Sequence, residues 1–169
     1  VLGMSRLPCA RYAERIVEVV GEHSVTLIQG ATGCGKSTQV PQALVAAHSQ
    51  AQGGHGHVLC TQPRRLAVLS LARRLAEELQ SPLGGDDIGF RIGGQLSVSN
   101  ANTKLVFSTA GLLLEEIRVN GMGAVCKFSV IILDECHERS QESDLVVSCL
   151  RFLMQQHAKR GGGGGGGRG

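Results

Sequence analysis

The octapeptide at positions 30 to 37 contains three glycines and ends in a lysine and a serine: Gly30-Ala31-Thr32-Gly33-Cys34-Gly35-Lys36-Ser37. It fits the pattern G-x-x-x-x-G-K-[ST] in full. Glycines let the backbone curl so that successive N–H groups point at phosphate oxygens, an approach that a β-carbon would obstruct. The octapeptide therefore predicts a phosphate-binding loop.

The segments on either side of the octapeptide match what a phosphate-binding loop requires. Ser24 to Gln29 is a short apolar run, predicted as a strand that leads into the loop, and a helix is predicted from Lys36 to His48. The helix offers its positive N-terminus to the same anion. Lys36 should reach the β- and γ-phosphates, and the Ser37 hydroxyl should ligate Mg²⁺. These residue types predict binding of a nucleoside triphosphate with Mg²⁺.

A second candidate site follows the apolar run Phe128 to Leu133, which ends in Asp134 and Glu135. A triphosphate-hydrolysing site needs a carboxylate at the end of a neighbouring strand to hold Mg²⁺. Asp134 is predicted to act on the metal, directly or through water, and Glu135 to orient and deprotonate the attacking water. The alternative is that the two acids merely cap the helix that follows them.

Apolar runs alternate with amphipathic stretches along the rest of the chain. Further strands are predicted at Val58 to Thr61, Ile88 to Ile92, Lys104 to Ser108 and Phe128 to Leu133. Further helices are predicted at Arg6 to Gly21, Arg64 to Gln80, Gly111 to Val119 and Ser143 to His157. In the second of these helices, the leucines expected to face the core are Leu66, Leu69, Leu75 and Leu79. The alternation predicts an α/β three-layer domain with a parallel sheet.

Composition argues against several other classes of protein. No apolar run reaches the roughly 18 residues that a membrane span needs, and the N-terminus lacks the pattern of a signal peptide. None of the six cysteines is spaced C-x-x-C, which argues against a zinc site and predicts reduced thiols in an intracellular compartment, nuclear or cytoplasmic. Seven consecutive glycines begin at Gly161. We therefore predict a folded domain over residues 1–158 and a flexible tail or linker over 159–169.

The order of four segments resembles the DEAH/RHA group of superfamily 2 helicases. Residues 30–38 (GATGCGKST) are similar to motif I of that group, and residues 61–67 (TQPRRLA) to motif Ia. Residues 107–114 (FSTAGLLL) resemble motif Ib, and residues 134–140 (DECHERS) resemble motif II. The resemblance covers nearly the whole predicted domain. It implies the first, ATP-binding RecA-like P-loop NTPase lobe of an ATP-dependent RNA helicase.

The resemblance also implies roles for individual residues. Lys36, Ser37 and Thr38 would hold the phosphates and Mg²⁺, and His137 would link the nucleotide site to a second lobe. Arg64 and Thr109 would contact the RNA backbone, as would Arg65, although paired arginines on a helix are commonly just solvated. Arg74 lies where members of the group stack an arginine on adenine. Contacts of this kind are sequence-nonspecific.

Two positions depart from the usual motifs, since Cys136 replaces an alanine and Ala110 stands where many members have an acid or proline. No Gln-x-x-Gly-Arg-x-Gly-Arg segment is present, so the resemblance implies a second lobe in a longer parent chain. We expect the isolated 169 residues to be weakly active or inactive.

Two other functions stay open at this stage: an RNA clamp that remodels ribonucleoprotein without unwinding, and a P-loop enzyme unrelated to nucleic acid.

Overall fold

A five-stranded sheet lies at the centre of the computed structural model, which describes residues 7–50, 56–94 and 96–161. The strands are β1 (His57–Gln62), β2 (Ile88–Ile92), β3 (Leu96–Val98), β4 (Leu105–Thr109) and β5 (Phe128–Leu133). Their order across the sheet is β3-β2-β4-β1-β5. All neighbouring pairs are parallel except β2 and β3, which are antiparallel.

Helices cover both faces of the sheet. They are α1 (Ala13–Glu22), α2 (Lys36–Gln50), α3 (Arg65–Glu78), α4 (Ala110–Asn120) and α5 (Gln141–Gly161), with short 3-10 helices at Pro8–Tyr12, Gly121–Ala124 and Cys136–Glu138. The first three α-helices share one core cluster with the sheet, and α4 and α5 share the other. The three-layer α/β prediction is therefore confirmed.

The central strands β1 and β4 are mostly apolar up to their last two residues, because both of their faces are covered. Cys60 pairs in register with Phe107 on one side and with Ile132 on the other. Phe107 and Cys60 are fully buried. A parallel strand covered on both faces has no solvent-facing positions, so its sequence shows a continuous apolar run instead of an alternation. This explains why these strands were recognisable from sequence.

The predicted strand at Ser24 to Gln29 does not form. The segment belongs to no ladder of the described sheet, and its Val25 and Leu27 are 75% and 89% exposed. β5 pairs only with β1 among the described strands, and no described strand pairs with the segment, so its backbone gains no ladder hydrogen bonds. An apolar, β-branched sequence favours a strand only where a neighbour supplies hydrogen bonds and burial. Here the prediction from local sequence was wrong.

Two helix predictions need correction. Arg6 to Gly21 was predicted as one helix, but the described part has a 3-10 helix beginning at Pro8 and α1 beginning at Ala13. In α3 the buried face is formed by Val68, Ala72, Leu75 and Ala76, whereas Leu66 and Leu79 are exposed. The helix needs only one apolar stripe against the sheet, and small alanines let it approach closely.

The C-terminal helix continues past the predicted domain boundary. α5 extends to Gly161, so the boundary predicted at residue 158 falls within the helix. The rest of the predicted tail, 162–169, lies outside the described residues. Within the described ranges, no helix has both the length and the apolar character needed to span a membrane.

Candidate active site

The glycine-rich loop, Gly30–Gly35, leads directly into α2. Two of its glycines have positive φ angles, 77° at Gly33 and 99° at Gly35. A β-carbon added to Gly35 would lie 3.0 Å from Leu7 Cδ1 and 3.1 Å from Gln39 Cγ. Such contacts, together with a backbone conformation that L-residues rarely adopt, leave room only for glycine. The loop therefore has the tight curvature that a phosphate cradle requires.

Lys36 folds back over this loop. Its Nζ donates hydrogen bonds to the backbone oxygens of Gly30, at 2.6 Å, and of Ala31, at 2.9 Å. A third neighbour of the ammonium is the Cys34 sulfur, 3.9 Å away. The ammonium has three donors and no acceptor, so it satisfies itself on loop carbonyls, and phosphate oxygens can take their place. The predicted phosphate-binding lysine thus lies at the mouth of its predicted loop.

The next two residues play different parts at the start of α2. Ser37 is half-buried at the N-terminus of the helix, and its predicted role as an oxygen ligand stays a prediction. Thr38 is 4% exposed, and its Oγ1 donates to the Gly35 oxygen at 3.3 Å. Thr38 therefore supports the loop from within. Thr32 is exposed at the turn, as is Ala31.

The acidic turn, Asp134–Glu138, follows the last residue of β5. The Asp134 backbone N–H donates to the Thr61 oxygen at 3.2 Å, which extends the pairing of β5 with β1 by one residue. Glu135 has the left-handed angles φ 54° and ψ 30°, and its carboxylate lies 3.2 Å from His137 Nδ1. A non-glycine residue in this conformation costs about 1 kcal/mol or more, and such strain often occurs at functional sites.

The glycine-rich loop and the acidic turn lie at the same edge of the sheet. α2 packs on β1 and β5, and it ends beside the start of β1, because a β-carbon on Gly56 would lie 2.5 Å from that of His48. The helix therefore runs antiparallel to β1, and its N-terminus with Lys36 reaches the edge where β1 and β5 end. Asp134 follows β5 at that edge. The sequence predicted this juxtaposition.

One residue of the site, Gln62, was not predicted from the sequence, although it lies in the segment 61–67 that resembles motif Ia. Gln62, the last residue of β1, is 2% exposed, and its Nε2 donates to Asp134 Oδ2 at 2.6 Å. Cys60 lies two residues earlier, on the same face of β1. Burial raises the pKa of its thiol strongly, and the charge of Asp134 raises it further. A polar residue ending a buried apolar strand is the signal that could have found Gln62.

The predicted RNA-contact residues follow the ends of the central strands. Gln62 pairs in register with Thr109, so both strand ends lie side by side. Thr109 caps α4, because its Oγ1 accepts the Leu112 N–H at 3.4 Å. Arg64 forms an ion pair with Glu138 of the acidic turn at 3.2 Å, and Arg65 Nη2 donates to the Gly93 oxygen at 2.6 Å. The arginines are thus engaged within the chain and stay partly exposed.

The predicted roles of two other residues involve groups outside the described contacts. Arg74 lies on α3 and forms an ion pair with Glu78 at 2.8 Å, so its proposed contact with adenine stays a prediction. The His137 side chain is 79% exposed and projects from the acidic turn. Its exposure agrees with a role toward a second lobe, which also stays a prediction.

The donor set of the site fits a magnesium triphosphate. Ser37 and Asp134 offer hydroxyl and carboxylate oxygens, the ligands that Mg²⁺ prefers, and this ion takes only one or two protein carboxylates when phosphates supply the remainder. No cluster of three or more His, Cys, Asp or Glu side chains able to hold a metal occurs in the described ranges. The glycines of the loop present no β-carbon that would obstruct an approaching phosphate. The residues thus suit Mg²⁺ bound together with its nucleotide.

A glycine-rich loop opening a helix, beside an acidic turn at the carboxyl edge of a parallel sheet, defines a P-loop nucleotide-binding domain. The chain belongs to the DEAD/DEAH box helicase family, whose sequence model matches residues 11–160.

Similar proteins support this assignment. The chain is 46% identical over 155 residues to the DExH-box ATP-dependent RNA helicase DExH8 of Arabidopsis thaliana, covering 91% of this chain and 14% of that protein. It is 44% identical over 150 residues to the probable ATP-dependent RNA helicase DHX34 of Mus musculus, covering 89% of this chain and 12% of the relative. The chain thus spans only a small part of the length of these relatives.

A solved structure confirms the architecture. The crystal structure of the Escherichia coli DEAH/RHA helicase HrpB matches with a TM-score of 0.77 and 33% sequence identity, over 88% of this chain and 18% of that chain. The resemblance to the DEAH/RHA group is therefore confirmed. The matched part is the RecA-like domain, so the predicted fold class is confirmed as well.

Proposed function

We propose that this chain is the ATP-binding lobe of an ATP-dependent RNA helicase, in which hydrolysis drives translocation, unwinding or ribonucleoprotein remodelling. The observation that carries the proposal is the common sheet edge shared by Lys36 and Ser37 with Asp134 and Glu135. If the two pairs of residues lay at opposite ends of the sheet, they could not bind the same nucleotide. Family membership supports the same conclusion, as do the names of the two relatives described above, both of which are ATP-dependent RNA helicases.

The chemistry follows from the positions of these side chains. Lys36 exchanges its loop carbonyls for β- and γ-phosphate oxygens, and the N-terminus of α2 adds its positive end. Ser37 and Asp134 would hold Mg²⁺, which when bound would neutralise charge on the phosphates. Glu135 orients a water molecule and accepts its proton as that water attacks the γ-phosphate. The exposed His137 side chain contacts Glu135 and would link the nucleotide site to a second lobe.

The RNA side of the proposal rests on Arg64, Arg65 and Thr109. Arginines and a helix N-terminus bind phosphates without reading bases, so RNA binding should tolerate any sequence and weaken as salt rises. A second lobe from the longer protein would close the site, since one lobe supplies only one side of the nucleotide pocket in this proposal. An intracellular location, nuclear or cytoplasmic, fits six cysteines that are all unpaired thiols.

Mutants of the full-length protein test this function through RNA-stimulated ATPase activity. Lys36→Ala should lower the rate by at least about 100-fold, because preorganised charge on the phosphates is lost. Lys104→Ala is a matched control: this lysine pairs with Asp87 at 2.9 Å and precedes β4, at the opposite edge of the sheet. Equal rates for Lys36→Ala and wild type would refute the assignment of the site.

Strand separation distinguishes the two outputs of hydrolysis. Wild-type protein and Glu135→Gln should be compared on a partial RNA duplex with ATP. Glu135→Gln keeps the size of the side chain but removes the base, so ATP should bind while hydrolysis stops. Unwinding that depends on Glu135 identifies a translocating helicase. RNA-stimulated hydrolysis without strand separation would favour remodelling of ribonucleoprotein.

A further inference from the structure

We propose that Gln62 is a positioning residue that orients the Asp134 carboxylate for Mg²⁺, an inference that rests on the proposed function. Gln62 ends β1, the strand beside β5 in the sheet. Thr61 pairs in register with Leu133, and the Thr61 oxygen accepts the Asp134 N–H at 3.2 Å. This register places the side chain of Gln62 beside the carboxylate of Asp134. Its Nε2 lies 2.6 Å from Asp134 Oδ2.

The burial of Gln62 indicates that its side chain is polar because of its hydrogen bond to Asp134, and not because it faces water. The side chain is 2% exposed, so its amide has little access to water. A buried amide without a partner is strongly unfavourable, and most such groups in proteins are hydrogen-bonded. β1 is apolar from Val58 to Cys60 and becomes polar only at Thr61 and Gln62, where the acidic turn lies alongside. An apolar residue would fit this strand equally well if the carboxylate needed no partner.

An amide suits this position better than a charged side chain would. A lysine or arginine would neutralise Asp134 and compete with a cation for it, and a second carboxylate would repel it. The glutamine amide donates a hydrogen bond and leaves the charge of Asp134 intact. Each carboxylate oxygen also has more than one acceptor site, so accepting from Gln62 leaves Oδ2 with a lone pair for a further partner.

Asp134 is held from its other side as well. Its Oδ1 accepts the Glu135 backbone N–H at 2.9 Å. Because Glu135 has a left-handed backbone, this contact ties the orientation of the carboxylate to the shape of the acidic turn. Gln62 therefore completes a pair of hydrogen bonds, one to each carboxylate oxygen, that leaves the side chain little freedom to rotate. Partners of this kind around a ligating carboxylate change metal affinity by about 10–100-fold when they are removed.

The test is the Mg²⁺ requirement for nucleotide binding by the full-length protein. Gln62→Met keeps the length and apolar volume of the side chain but removes the donor. The melting temperature is followed with a non-hydrolysable ATP analogue while free Mg²⁺ is titrated, which reports binding without turnover. We expect the half-saturating Mg²⁺ concentration to rise about 10-fold or more, with full stabilisation recovered at high Mg²⁺. ATPase assays should show the same shift, with the maximal rate recovered.

Gln42→Met is the matched control, since Gln42 Nε2 also donates to a carboxylate, that of Glu78 at 3.2 Å, but on the exposed surface. It should leave the Mg²⁺ requirement unchanged. The proposal is overturned if Gln62→Met behaves like Gln42→Met. It is also overturned if Gln62→Met lowers the melting temperature and binding equally at all Mg²⁺ concentrations, because that is a packing defect.

The same experiment separates this inference from the proposed function. A wild-type protein that binds the analogue with Mg²⁺ but shows no Lys36-dependent ATPase contradicts the proposed function, whereas the binding titration still measures the part played by Gln62. Conversely, normal Lys36-dependent ATPase with an unshifted Mg²⁺ titration for Gln62→Met contradicts only the role of Gln62.

Discussion

The acidic turn and the glycine-rich loop, the two halves of the candidate active site, are held in place in different ways. The acidic turn continues β5 and is bonded across to β1 through Thr61 and Gln62. The glycine-rich loop follows a segment that belongs to no ladder, and its lysine is bonded to the loop's own carbonyls. One half is fixed by the sheet, and the other is fixed by α2, by Leu7 and by itself.

This difference indicates how the two halves respond to a ligand. Side chains held by strand pairing keep their geometry before the nucleotide arrives, which is what preorganised catalysis requires. A lysine bonded to carbonyls must exchange them for phosphate oxygens, so the shape of the glycine-rich loop depends on its occupant. We therefore expect substitutions under the acidic turn to affect the whole fold, and substitutions at the loop to act mainly on nucleotide binding.

The largest effect on stability should come from removing packing in the sheet that holds the acidic turn. Phe107→Ala, in β4 beside β1, removes a fully buried ring and should lower the free energy of unfolding by about 3–5 kcal/mol. Leu27→Ala, in the segment before the loop, should change it by less than about 0.5 kcal/mol, because that side chain is 89% exposed. Denaturant unfolding of the 169-residue chain measures both changes.

The same two substitutions in the full-length protein sharpen the comparison. If Leu27→Ala becomes as costly there as Phe107→Ala, residues outside this chain cover the segment before the loop. If Phe107→Ala and Leu27→Ala lowered the free energy of unfolding of the 169-residue chain equally, the two halves would not differ as described.

An intermediate effect is expected from the glycines of the loop. Gly35→Ala should lower stability by about 1–3 kcal/mol and weaken ATP binding, since φ is 99° and the new methyl would lie 3.0 Å from Leu7. Gly33→Ala has a φ of 77° but no atom within 4 Å of the new methyl, so its cost should be about 1 kcal/mol. Thermal unfolding with and without nucleotide gives both quantities. A larger cost for Gly33→Ala would mean that strain, not crowding, limits the loop.

The smallest effect concerns the link between the acidic turn and the RNA side. Glu138→Gln breaks the ion pair with Arg64, a pair exposed enough to be worth only about 0.2–1 kcal/mol. Freed Arg64 should bind RNA phosphates up to about fivefold more tightly at low salt. Fluorescence anisotropy with labelled RNA measures the change in Kd. Asp144→Asn, which removes the comparable pair with Arg139 at 3.1 Å, is the control and should leave Kd unchanged.

The sequence was sufficient for the elements whose local and tertiary preferences agree. β5 was predicted with its observed bounds, because its nearly continuous apolar run between polar residues is typical of a strand in a parallel sheet. The start of α2 at Lys36 was predicted because the helix follows directly on the last glycine of the motif. Leu66 and Ser24 to Gln29 were misjudged for the opposite reason. Their apolar character is real, but burial depends on what lies beside them, which local sequence does not contain.

The motifs themselves, and with them the family, were determined by the order of residues along the chain. Phosphate binding needs glycines before a lysine, and metal binding needs an acid at a strand end, so covalent sequence alone identifies both. Only the tertiary structure decided that Gln62 reaches Asp134 and that Arg64 meets Glu138. These contacts join residues about 70 positions apart, and they depend on the register between β1 and β5. Strand register is a property of the packed sheet, and no local pattern encodes it.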